Sequence, residues 1–141
     1  IRMFPSDANP AGNVFGGAIL KHIDMVAGIV AQRYSQTNAV TVSMDKISFL
    51  KPVFVGNVLF VNARVNYVQK SSMEIEVNVE AEDIAKGTRV HTGNAYVTFV
   101  ALDDNGKPTP VPTLCIDNPE DQKRFDEGKL RMEKRMKQRK N

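Results

Sequence analysis

With 141 residues, 42% apolar and 25% charged, the sequence has the size and composition of one globular domain. A single cysteine, Cys115, excludes an intrachain disulfide, and with two separated histidines, His22 and His91, it offers no zinc-ligand spacing. The net charge of +3 belongs to the C-terminus: from Glu120 onward 9 Lys/Arg stand against 5 Asp/Glu, and the part before it is slightly acidic.

The chain opens IRMFPSDANP, without Met and without the apolar run of a signal peptide. Residues before Ile1 are therefore expected in the natural protein, and a reducing, cytoplasmic setting is the simplest reading. Residues 9–17, NPAGNVFGG, form a polar, glycine-rich loop that ends in Gly16-Gly17. An apolar segment then runs to about Ser35, and its spacing predicts a helix of roughly 27–30 Å. Its apolar positions cover most of the circumference, so it is expected to be buried nearly all round. Gly17, Lys21, Asp24 and Gly28 share the one polar and small-residue stripe. Lys21, His22 and Asp24 make the apolar part too short and too polar to cross a bilayer.

After Asn38 the period changes to two. Strands are expected over 40–49, 58–69, 73–81 and 89–102. In the second, Leu59, Val61, Ala63, Val65 and Tyr67 fall on one face. In the third, Met73, Ile75, Val77, Val79 and Ala81 alternate with Glu74, Glu76, Asn78 and Glu80. Short turns join these strands, so the sheet is antiparallel and covers one face of the helix. The small-residue stripe is left for a second copy of the chain. From Pro119 a charged helix follows with only Phe125, Leu130, Met132 and Met136 apolar, and it is expected to be peripheral. The division is a body over 1–114 and a basic tail over 115–141 that the chemistry does not need. The tail has no aromatic interleaving, and a solvated helix face explains it better than a nucleic-acid surface.

The candidate chemistry lies in residues 9–24. Two glycines at a helix start leave backbone N–H groups open at the positive end of the helix dipole, where an oxyanion is favoured. Asp24, the only acid in the apolar segment, is a candidate general base or nucleophile. Each feature has a plainer alternative. The glycines serve close packing against a strand, or Asp24 pairs with Lys21 at i−3. His22 and Asp24, two residues apart, leave a helix in different directions and form no dyad. His91 falls in a strand and reads as structural or exposed, and Cys115 as a surface thiol.

Asn9, Gly12-Asn13-Val14-Phe15-Gly16-Gly17, Leu20 and Asp24, followed by Phe49-Leu50-Lys51-Pro52-Val53 and Gly56, resemble the hot-dog-fold acyl-CoA thioesterases. The likeness is to the cytosolic acyl-CoA hydrolase group and its short bacterial relatives, over about residues 1–135. It implies an α+β hot-dog fold, a long buried helix wrapped by a curled antiparallel sheet with a C-terminal peripheral helix. It implies hydrolysis of fatty acyl-CoA with no metal or cofactor, by Asn9 and Asp24 with the Gly16 and Gly17 amides. Phe15 departs from the pattern, since many relatives carry His there. Coenzyme A phosphates call for basic residues at the mouth, and Lys51 and the Lys70-Ser71-Ser72 turn are the candidates. The expected partner is acyl-CoA, with neither nucleic acid nor membrane. The expected active unit is a homodimer, assembled to a hexamer as a trimer of dimers. The competing reading is a non-catalytic acyl-CoA sensor, which would need no acid facing the thioester.

Overall fold

A computed structural model describes residues 1–140 of the chain, with side chains as far as Gln138. Helix α1, Gly16–Ser35, is followed by strands β1 Asn38–Phe49, β2 Val58–Gln69, β3 Ser72–Asp83 and β4 Thr88–Leu102. Helix α2, Pro119–Lys140, comes last. The strands form one antiparallel sheet in the order β1-β4-β3-β2. This is the α+β hot-dog architecture that the sequence resembles.

One stripe of α1, Ile19, Ile23, Ala27 and Ala31 at four-residue spacing, is buried against the sheet. The opposing face is built from alternate residues of two central strands, Met73, Ile75, Val77, Val79 and Ala81 with Ala95, Val97, Phe99 and Ala101. A Cβ added at Gly28 would lie 3.7 Å from the Phe99 ring, so the helix sits low on the sheet there. Gln36, in the left-handed region at φ +59°, ends α1 and returns its N–H to Gln32 O.

Three details differ from the periodicity. The helix is not covered all round within one chain: Met25 and Ile29 are 53% and 47% exposed. A four-strand sheet wraps only one side of a helix, so the remaining apolar side faces outward. Tyr67 does not share a face with Leu59–Val65. A bulge between Val65 and Tyr67 reverses the alternation, and the Tyr67 ring meets Phe125 of α2 at 4.8 Å. Glu74 is not solvated either. It is 4% exposed, because α2 lies across the outer face of the sheet and the Arg131 guanidinium bonds both its carboxylate oxygens, at 2.7 and 2.9 Å.

Helix α2 is peripheral but docked. Asn118 Oδ1 accepts the Asp121 N–H at 2.8 Å and starts the helix, with Pro119 and acids in its first turn. The helix then crosses the strands in spatial order. Phe125 lies on β2, and Gly128 presses on Tyr67 and Glu74. Arg131 stacks 3.8 Å over the Tyr96 ring, and Arg135 donates to Ser43 Oγ at 2.8 Å. Burial opposes the charge on Arg131, yet hydrogen bonding and attraction to Glu74 raise its pKa above the usual value. Arg131→Ala therefore leaves a buried carboxylate without its partner and is expected to destabilise the fold by roughly 3–5 kcal/mol, read by denaturant unfolding. A loss below about 1 kcal/mol would mean that Glu74 reaches solvent.

Candidate active site

The loop before α1 is organised around Asn9. Its Oδ1 accepts the N–H groups of Ala11 and Asn13, at 3.0 and 3.1 Å. Its backbone N–H donates to Asn13 O at 2.7 Å, and Gly12 returns its N–H to Asn9 O at 3.0 Å. Gly12 reaches φ +91° to close this turn, a conformation that favours glycine. Two backbone donors at the side-chain oxygen fix which end of the amide is which. The Nδ2 end has no acceptor among the described residues and remains available as a donor.

The same loop holds the helix start. Val14 N–H donates to Val53 O at 2.8 Å, and Phe15 N–H to Asp7 O at 2.7 Å. Phe15 is the extended N-cap, and its carbonyl takes the N–H groups of Ala18 and Ile19. The N–H groups of Gly16 and Gly17 have no acceptor among the described residues. Close packing accounts for Gly16 in part, since an added Cβ would lie 3.5 Å from the Phe49 ring. It does not account for Gly17, where a Cβ would meet nothing within 4 Å. Lys51 stands at this end too, with the N–H groups of Leu50 and Lys51 on Thr92 O at 2.8 and 3.4 Å.

Asp24 lies two turns along α1, half-buried. Its partner is Thr41 on β1, whose hydroxyl donates to Asp24 Oδ1 at 2.7 Å. No ion pair with Lys21 forms among the described residues, so the i−3 pairing is not what holds the acid. The second carboxylate oxygen has no donor among the described residues. Asp24 is less enclosed than its apolar neighbours in sequence suggested, because Met25 and Ile29 beside it face outward. His22 is half-buried, and His91 is exposed on β4 opposite Glu80.

Thr41 is the residue that sequence reasoning missed. Its signal is in the rises: a helix turning back into a strand at about residue 36 returns 1.5 Å per residue one way and about 3.3 Å the other. The strand residue level with Asp24 is then roughly the fifth or sixth past the turn, within one position of Thr41. A bulge between Thr41 and Ser43 fixes which side chain faces α1.

Within one chain these groups are in two places. Asn9, Gly16, Gly17 and Lys51 gather at the helix start, and Asp24 with Thr41 stands about 10 Å along the axis. No hydrogen bond among the described residues joins Asn9 to Asp24. Lys70, Ser71 and Ser72 are further away, where β3 begins beside Val100 and the Asn38–Leu102 pair, level with the other end of α1. The carbonyls of Lys70 and Ser71 accept Val111 and Ala101 N–H there, at 2.8 and 2.9 Å. One chain does not bring that turn to Asp24.

Residues 11–88 match the model of the thioesterase superfamily. The chain belongs to that family. Among curated relatives, the rat cytosolic acyl coenzyme A thioester hydrolase is 42% identical over 129 residues. That match takes in 90% of this chain and 34% of the relative, so the chain spans about a third of that protein's length. The Staphylococcus aureus acyl-CoA hydrolase, solved with butyryl coenzyme A, coenzyme A and coenzyme A disulfide, superposes with a TM-score of 0.90 at 35% identity. The match covers 99% of this chain and 85% of that one. That enzyme has also been solved with Ala in place of an Asn, of an Asp fifteen positions later, and of a Thr seventeen positions beyond that. A hexameric acyl-CoA thioesterase, solved without ligand, superposes with a TM-score of 0.92 at 32% identity, covering 98% of this chain and 88% of its own.

Proposed function

We propose that this thioesterase-family chain hydrolyses fatty acyl-CoA to fatty acid and coenzyme A. The observation that carries the reading is Asp24, a carboxylate with one oxygen held by the Thr41 hydroxyl and the other open, on a face lined by apolar side chains. Asn9, Asp24 and Thr41 have the spacing of the three residues replaced in the Staphylococcus aureus enzyme, fifteen and seventeen positions. That agreement supports giving all three a role.

A thiol leaves more readily than an amine, with a pKa near 8.5 by analogy with cysteine, so no strong general acid is needed. The thioester oxygen takes the open Gly16 and Gly17 amides and the Asn9 Nδ2 donor, each worth roughly 3–4 kcal/mol as the oxyanion develops. Water attacks the carbonyl carbon while Asp24 takes its proton. Collapse of the tetrahedral intermediate breaks the C–S bond, and the proton passes from Asp24 to the departing thiolate. As nucleophile, Asp24 would instead form an acyl anhydride that water opens. Thr41 positions the carboxylate in either course.

The ten-ångström separation within a chain supports giving the two halves of a site to two chains. Among the described residues strand β1 is bonded on one side only, by β4, whereas β2 at the other edge is bridged by residues 1–3. Val40, Val42, Met25 and Ile29 are exposed along the β1–α1 side, the apolar face that a second copy would cover. Brought together antiparallel, two chains place Asp24 of one near Gly17 and Asn9 of the other. Lys51 is then the mouth cation for the substrate phosphates, and the Lys70-Ser71-Ser72 turn acts only toward another chain's site. Assembly of such dimers to a hexamer, and a cytoplasmic location, complete the proposal.

Purified protein supplied with acyl-CoAs of graded chain length should release thiol, read with a thiol reagent, without added metal. Tight binding of acyl-CoA with no release would favour a sensor and reject the hydrolase reading.

A further inference from the structure

In a regular strand Thr41 and Ser43 would share a face of β1, since side chains repeat every two residues. The bulge between them separates the two. Thr41 is paired with Phe99 on the inner face, where its hydroxyl reaches Asp24. Ser43 is paired with Thr98 on the outer face, where α2 lies. Val42 is left without a partner in the ladder and is 43% exposed.

A second irregularity follows between Asp45 and Ser48, with Lys46 in the left-handed region at φ +51°. Over residues 41–48 this edge strand is therefore held by an interrupted ladder, and side chains carry more of the fixing. On the outer face the fixing comes from Arg135. Its Nη1 donates to Ser43 Oγ at 2.8 Å, and Ser43 Oγ donates on to Asp45 Oδ2 at 3.1 Å. The Arg135 Nε is buried with no acceptor among the described residues, a cost that an apolar side chain at this position would avoid. Docking of α2 has other anchors: Arg131, one turn earlier, holds Glu74, and Met132 is buried.

We propose that Arg135 is a positioning residue for the reaction: through Ser43 it pins the outer side of the bulge whose inner side presents the Thr41 hydroxyl to Asp24. The connection is two hydrogen bonds, Arg135 to Ser43 and Thr41 to Asp24, joined by the bulge backbone. Without the outer anchor the bulge is free to shift, and a small displacement of Thr41 turns the Asp24 carboxylate away from the water it activates. The C-terminal helix then takes part in the chemistry, against the expectation that the chemistry does not need the tail. This inference rests on the hydrolase reading above and extends that site to α2.

Steady-state kinetics of thiol release from acyl-CoA test it. Arg135→Met should lower kcat by about three- to tenfold, no more than Thr41→Val does, with KM within about twofold and the fold kept. Ser43→Ala removes the acceptor, so it should reproduce the loss, and it serves the test should Arg135→Met fail to fold. Arg135→Lys keeps a donor and should recover part of kcat. The deciding comparison is the double variant. Arg135→Met added to Thr41→Val should cost no more than Thr41→Val alone, because both act at one hydroxyl. Losses that multiply overturn the proposal, as does an Arg135→Met chain with the kcat of the unaltered protein. Those outcomes leave the hydrolase reading standing, whereas an unaltered chain that releases no thiol rejects that reading and this one together.

Discussion

Asp24→Ala lowers kcat by at least about a hundredfold while the protein still folds, the loss expected when a general base is removed. The carboxylate is half-buried, and its bond is to Thr41 on an exposed strand. Truncation therefore strands no buried charge, and the melt should move little. Activity and stability are thus separable at this position. Thr41→Val removes only the donor that fixes one oxygen, so its expected cost is smaller, about tenfold in kcat, with recovery in Thr41→Ser. Initial rates over a range of acyl-CoA concentrations, with unfolding curves of each variant, check both. Turnover near that of the unaltered protein in Asp24→Ala would remove Asp24 from the chemistry.

The elements were legible because each carries its own period. The helix runs Gly16–Ser35 between a glycine pair and a left-handed Gln36, and the four strands fall where the alternation lies, within two residues at the ends. What periodicity could not carry were its interruptions. A bulge adds one residue without marking the sequence, so Tyr67 changed face and Thr41 stayed hidden among strand residues. The alternation puts Glu74 on the outer face of the sheet, and period two tells only which face a residue occupies. Whether that face meets water depends on α2, fifty-seven positions later. Gly17 and Asp24 stood out for a different reason. A helix start without side chains and an acid in an apolar segment both run against what packing alone would select. The seven positions between them, about 10 Å of helix, are the one sequence signal for the proposed sharing of a site between two chains.

The shared site is the centre of the account, and subunit mixing tests it most directly. Asn9→Ala and Asp24→Ala chains, each expected to be inactive alone, are unfolded together and refolded as a mixture. Random pairing makes about half the dimers mixed, and each mixed dimer has one intact site, with Asn9 from one chain and Asp24 from the other. Roughly a quarter of the unaltered activity should return, given full exchange. Mixed dimers demonstrated by mass, yet without recovered turnover, would place Asn9 and Asp24 in the same chain's site and contradict the account.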